Sequence, residues 1–126
     1  MCSVTSQGHP YAIFQRALER RNLIAAWTAA SELQVVSLPD ALALCLLVRD
    51  REPTRFSRFA LRWHARFCAE TLGVGLEDGR LVLDLLAAVG GAEPKRAVGA
   101  LRQLLASYDQ TLAEPLRRWE TIAESC

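Results

Sequence analysis

The sequence predicts an all-α protein of six or seven helices, packed as two or three antiparallel hairpins in a repeat-like bundle. Three observations carry that prediction. Leu and Ala dominate the composition while β-branched and aromatic residues are sparse, a balance that favours helix over strand. Apolar residues recur at helical spacing along most of the chain. The stretch from Ser37 to Leu72, finally, joins a helix that is apolar all round to a helix with two distinct faces. No charged residue stands between Asp40 and Arg49, and a helix without a polar side must be buried.

The chain of 126 residues makes one domain with a genuine core, read as a flexible N-terminus over residues 1–8 and a single all-helical domain over 9–126. Hydrophobic residues at 51% exclude disorder, and charged residues at 23% match an ordinary globular protein. A net charge of +1 argues against a general electrostatic affinity for nucleic acid or membranes. The basic charge comes from fourteen arginines and one lysine, Lys95, which reads as the codon usage of a GC-rich genome. No apolar run reaches the roughly 18 residues of a membrane span. The segment MCSVTSQGHP lacks the basic and apolar regions of a signal peptide. Cys2, Cys45, Cys68 and Cys126 show no paired spacing. A reduced, cytoplasmic protein is therefore expected.

In chain order, Pro10 suits a first helical turn, and Tyr11, Phe14, Leu18 and Arg21 follow at helical spacing. Asn22 is the expected break or cap before an Ala-rich helix over Leu23–Leu33, anchored by Trp27 and paired with the first helix as a hairpin. Ser37 caps the third helix, with Asp40 in its first turn. After the charged corner Arg49–Glu52, Pro53 opens a fourth helix that ends near Gly73 and groups Phe56, Phe59, Ala60, Trp63 and Phe67 on one face. The turn Gly73-Val74-Gly75 precedes a fifth helix, apolar over Leu81–Val89 except for Asp84 and stopped by Gly90-Gly91. Pro94 opens a sixth helix with a stripe at Ala97, Leu101, Leu104, Leu105 and Tyr108. A last helix carries Leu112, Leu116 and Trp119, its start blurred by Pro115.

Two segments resemble each other internally. Leu38-Pro39-Asp40 aligns with Leu76-Glu77-Asp78, and Glu52-Pro53-Thr54-Arg55 with Glu93-Pro94-Lys95-Arg96 after a three-residue insertion. Each unit is a buried helix, a turn and a proline-opened amphipathic helix. With the small-residue segment RALERRNLIAAWTAASEL, this pattern resembles the helical-hairpin repeat families of tetratricopeptide and HEAT type, over residues 10 to 108. The strict 34-residue period of the tetratricopeptide pattern is not kept. The resemblance implies a stacked helical scaffold that binds a peptide or protein.

Chemistry-bearing residues are few. Arg55, Arg58, Arg62 and Arg66 stand three, four and four apart, which lines them along one side of the fourth helix. Guanidinium forks match phosphate oxygens, so this stripe is the candidate basic face for nucleic acid or phosphate. Asp50, Glu52 and Glu70 are close enough in sequence to neutralise some of its members. His64 and Cys68, one turn apart, together with Cys45 would supply three zinc ligands, but no zinc signature has this spacing and a fourth ligand is missing. No G-x-S-x-G elbow is present, and Gly73-x-Gly75 lacks the flanking strand and the Gly-Lys-Ser of a phosphate loop. Asp84 either faces outward, pairs with Arg80, or is buried with a raised pKa. Leu112, Leu116 and Trp119 either close the core or contact a second subunit.

The expected function is a non-enzymatic interaction or scaffold module without metal or cofactor, binding a protein partner or itself, with no membrane role. The alternative is nucleic-acid or phosphate binding through the arginine stripe.

Overall fold

The computed structural model describes residues 2–125, with side chains from Gly8 onward, so the stretch expected to be flexible lies almost wholly outside the described side chains. Among the described residues there are seven α-helices and no strand: α1 (Cys2–Glu19), α2 (Leu23–Glu32), α3 (Leu38–Arg51), α4 (Phe56–Glu70), α5 (Leu76–Val89), α6 (Pro94–Ala106) and α7 (Gln110–Ser125). The fold is all-α, as the composition and periodicity predict.

Short polar side chains set several boundaries. The Ala25 N–H donates to Asn22 Oδ1 at 3.1 Å, and the Asp40 N–H donates to Ser37 Oγ at 3.3 Å, which satisfies otherwise orphaned helix donors. Asp109 starts α7 in the same way. It accepts from the Thr111 hydroxyl at 2.7 Å and from its N–H at 2.9 Å, and these bonds hold its carboxyl below the ordinary carboxylate range.

Four local expectations are corrected. Pro10 lies inside α1 and not at its first turn. Pro53 opens a short 3-10 turn over Pro53–Arg55, and α4 begins only at Phe56. Trp27 is no buried anchor: it is 46% exposed and rests edge-on against Phe59, centroids 5.1 Å apart. The buried residues of α2 are Ala26, Ala29 and Ala30, small enough to let α1 and α2 approach closely. Arg21, placed by spacing in the α1 stripe, has instead left the helix with φ 56°. The Asn22 N–H reaches the Ala17 carbonyl at 2.9 Å and the Arg21 N–H reaches Leu18 at 3.1 Å. That is a Schellman ending with arginine in the place glycine usually takes.

α3 explains the rest of the architecture. Successive helices pack as hairpins from α3 through α7, and α7 folds back onto α3, closing a five-helix ring. Leu42, Cys45, Leu46 and Val48 face the core of that ring, which also holds Trp63, Phe67, Leu86, Leu101 and Leu116. From the other side of α3, Leu44 and Leu47 enter a second cluster with Phe14, Ala26 and Ala30, where the α1–α2 hairpin docks. A helix packed on both sides needs no polar face, hence the uncharged run from Ala41 to Val48.

The two glutamate-proline corners match in backbone. Glu52 has φ −140° and ψ 71°, Glu93 has φ −123° and ψ 68°, and each precedes a proline that opens a helical turn. Each also pairs with an arginine three residues on, Arg55 at 3.2 Å and Arg96 at 3.6 Å.

Candidate functional site

α4 has one side held in the core and one side in solvent. Its inner stripe is fixed by burial: Phe56, Ala60, Trp63 and Phe67 are at most 5% exposed. Trp63 stacks on Phe67 with ring planes 9° apart, and its indole N–H donates to the Leu38 carbonyl at 2.8 Å. With the inner side held, the opposite side must face water.

Arg58, Arg62 and Arg66 line one side of α4 and Arg55 stands just before it, at the end of the 3-10 turn, but the four differ. Arg55 pairs with Glu52 at 3.2 Å, and Arg66 holds Glu70 through two bonds at 2.7 and 3.2 Å. The hydrogen bonds from Arg66 hold the Glu70 carboxyl below its ordinary range. Arg58 and Arg62 are exposed, and among the described residues neither has a carboxylate within 4.0 Å. Asp50, named with Glu52 and Glu70 as a neutralising partner, serves elsewhere.

Beside the arginines runs an apolar stripe that sequence reasoning passed over. Leu61, Ala65 and Cys68 follow at four and three residues on the exposed side of α4. Leu76, at the start of α5, extends it beside Cys68, whereas Leu72, in the connection, lines a separate cavity with Leu38, Arg66 and Tyr108. Leu61 is 59% exposed, Leu72 93% and Leu76 95%. The furrow between α4 and α5 contains two cavities, of 270 Å³ beside Leu61 and Phe56 and of 730 Å³ beside His64 and Leu76, and Leu83 lines both. The signal was legible in principle, because Leu61, Ala65 and Cys68 form a second helical stripe about a third of a turn or more from the aromatic one.

The His64–Cys68 pair sits in the same furrow. His64 Nε2 lies 2.7 Å from the Gly79 carbonyl, which only accepts, so this nitrogen carries the proton and donates it. Cys68 Sγ is 3.6 Å from the same nitrogen, which therefore cannot take the thiol proton. The pair is not a nucleophile with its base. Cys45, the third supposed ligand, is turned into the core instead, where its thiol faces the Phe59 carbonyl at 3.6 Å and burial pushes its pKa up to about 12. Among the described residues no group of three His, Cys, Asp or Glu side chains is placed to hold a metal ion. Asp84 is exposed on α5.

Leu112, Leu116 and Trp119 are 2, 0 and 6% exposed. They lie in the core of their own chain, so the side chains offered as a subunit contact present no surface to one. Trp119 also joins a polar junction that spacing could not have disclosed. Asp50 Oδ2 accepts from its Nε1 at 3.0 Å and from Arg21, while Oδ1 accepts from Arg49 at 3.0 Å. Arg49 in turn donates to the Val89 carbonyl at 2.9 Å and lies 5.9 Å over the Trp119 ring. One carboxylate thus ties α3 to α7 and to the connection that follows α1, while Arg49 adds the end of α5. Between α1, α3 and α7 a narrow cleft of 370 Å³ remains, mostly apolar, with Glu19 and Arg118 in its lining.

Compared with known protein families, with curated proteins and with solved structures, the chain finds no match. No helix among the described residues is long and apolar enough to cross a membrane.

Proposed function

We propose that this chain is a non-enzymatic protein-interaction module whose docking face is the outer side of α4 with the adjoining turn and start of α5. The observation that carries the reading is the placement of Leu61 and Leu76, 59 and 95% exposed, along one furrow next to two arginines that have no acidic partner among the described residues. Single exposed leucines are ordinary on a protein surface. Two along one furrow, with Ala65 and Cys68 exposed between them and beside cations that a partner could neutralise, match the apolar centre and charged edge of an interface. The free thiols Cys45 and Cys68 accord with a reducing, cytoplasmic setting. The test is affinity purification from the source cell with the natural chain and with a Leu61→Glu/Leu76→Glu variant. A partner retained by the first and lost by the second supports the reading. A partner set that ignores both substitutions counts against it.

The second reading, phosphate or nucleic-acid binding, rests on Arg58 and Arg62 alone, since Arg55 and Arg66 already have partners. Two phosphate contacts would give a slope of log affinity against log salt of roughly −1.8. Titration with short duplex and single-stranded nucleic acid at two salt concentrations, with and without Arg58→Ala/Arg62→Ala, measures that slope directly.

A further inference from the structure

We infer that the partner segment received by this face is an amphipathic α-helix with acidic residues along one edge of a leucine stripe. The inference rests on the docking-face reading above and adds the chemistry of the occupant.

Shape argues for a helix. The furrow lies between α4 and α5, and no strand edge exists among the described residues for an extended peptide to join. A third helix laid along two others seats its apolar ridge in the furrow between them. At 1.5 Å per residue the 15 residues of α4 span about 22 Å, so a partner helix of about four turns covers the face.

Charge argues for acidity on one edge. Arg58 and Arg62 stand one turn apart on the outer rim, exposed and without a carboxylate within 4.0 Å among the described residues. On the opposite rim, Glu77 and Asp84 flank Arg80, all exposed, so that side carries a net charge of −1 and calls for no acid. The face is therefore positive along α4 only, and carboxylates spaced one turn apart on the incoming helix would meet both guanidiniums. A basic helix would set cation against cation there. A second copy of this chain laid α4 on α4 would oppose its own arginines in the same way. A nucleic acid would have to cover Leu61 and Leu76 with phosphates, which gain nothing from them.

A displayed library of 18-residue helical peptides tests the inference. It carries a fixed leucine stripe with Glu, Gln or Lys randomised on the flanking positions, and is selected on the full chain. The expected result is enrichment of Glu along one edge and a shift toward Lys when selection is repeated on Arg58→Glu/Arg62→Glu. An enriched peptide should bind Arg58→Ala/Arg62→Ala about tenfold more weakly at low salt, the size expected of two exposed ion pairs. Enrichment of neutral or basic edges, or of nothing, overturns the acidic partner. If neutral or basic winners still lose binding to Leu61→Glu, the docking face stands without the acidic occupant. Winners that ignore both Leu61→Glu and Leu76→Glu remove the face as well. Both leucines are exposed, so these variants keep the fold, which far-UV circular dichroism verifies.

Discussion

Replacing Asp50 by Ala should cost far more than its place in a charged corner suggests. The substitution removes the acceptor for the Trp119 indole N–H and for two guanidiniums at once. A hydrogen bond to a charged acceptor contributes about 1.5–3 kcal/mol. The side chains of Arg21, Arg49 and Asp50 are 22, 24 and 21% exposed, so the freed cations regain part of their hydration, and each ion pair adds about 1 kcal/mol at most. The total is about 3 kcal/mol, a large share of the 5–15 kcal/mol that typically separates folded from unfolded domains. For a domain of this size it lowers the melting temperature by about 10 °C. Urea unfolding followed by circular dichroism, with the cooperativity parameter unchanged, measures it. Asp50→Asn keeps shape and one acceptor oxygen and should lose about half as much. An Asp50→Ala variant within about 0.5 kcal/mol of the natural chain would show that the junction holds nothing together.

A Cβ at Gly90 would stand 2.8 Å from Phe56 Cδ2, and that ring is buried, so Gly90→Ala should destabilise by about 1–2 kcal/mol, with Phe56→Leu restoring part of the loss in the double variant. Arg21→Gly relieves a left-handed backbone of about 1 kcal/mol but gives up the Asp50 pair; near-neutral stability is expected, whereas Arg21→Ala, which loses the pair and keeps the strain, should cost more. In a background with Cys2 and Cys126 replaced by Ser, Cys68 should react with a disulfide reagent at pH 8 and Cys45 only on unfolding. The Cys45 thiol ionises at about 12 when folded against an ordinary 9.0. Above pH 9 the unfolded chain therefore holds fewer protons, and stability falls as pH rises toward 12. Cys45→Ala should flatten that fall in urea midpoints measured at pH 8 and 10.5.

Local chemistry was readable in this chain wherever the cause was local. The caps at Asn22 and Ser37, the all-round apolarity of α3 and the aromatic stripe of α4 depend on neighbours within a turn or two, and each appears where spacing predicts it. Arg21 fits the α1 period as well as Leu18 does, yet its backbone is left-handed at the helix end and its side chain pairs with an aspartate 29 residues away. Period alone cannot see that. Nor can it divide the arginine stripe, because whether a guanidinium is paired depends on where Glu52 and Glu70 come to rest. The same holds for Trp119, read from sequence as a lid or a contact, which the return of α7 onto α3 seals into the core above Asp50. Sequence by itself determined the helices, because hydrogen bonds and periodicity act within a few residues. Only the tertiary structure decided which apolar and charged surfaces remained, because burial and pairing are settled between helices far apart along the chain.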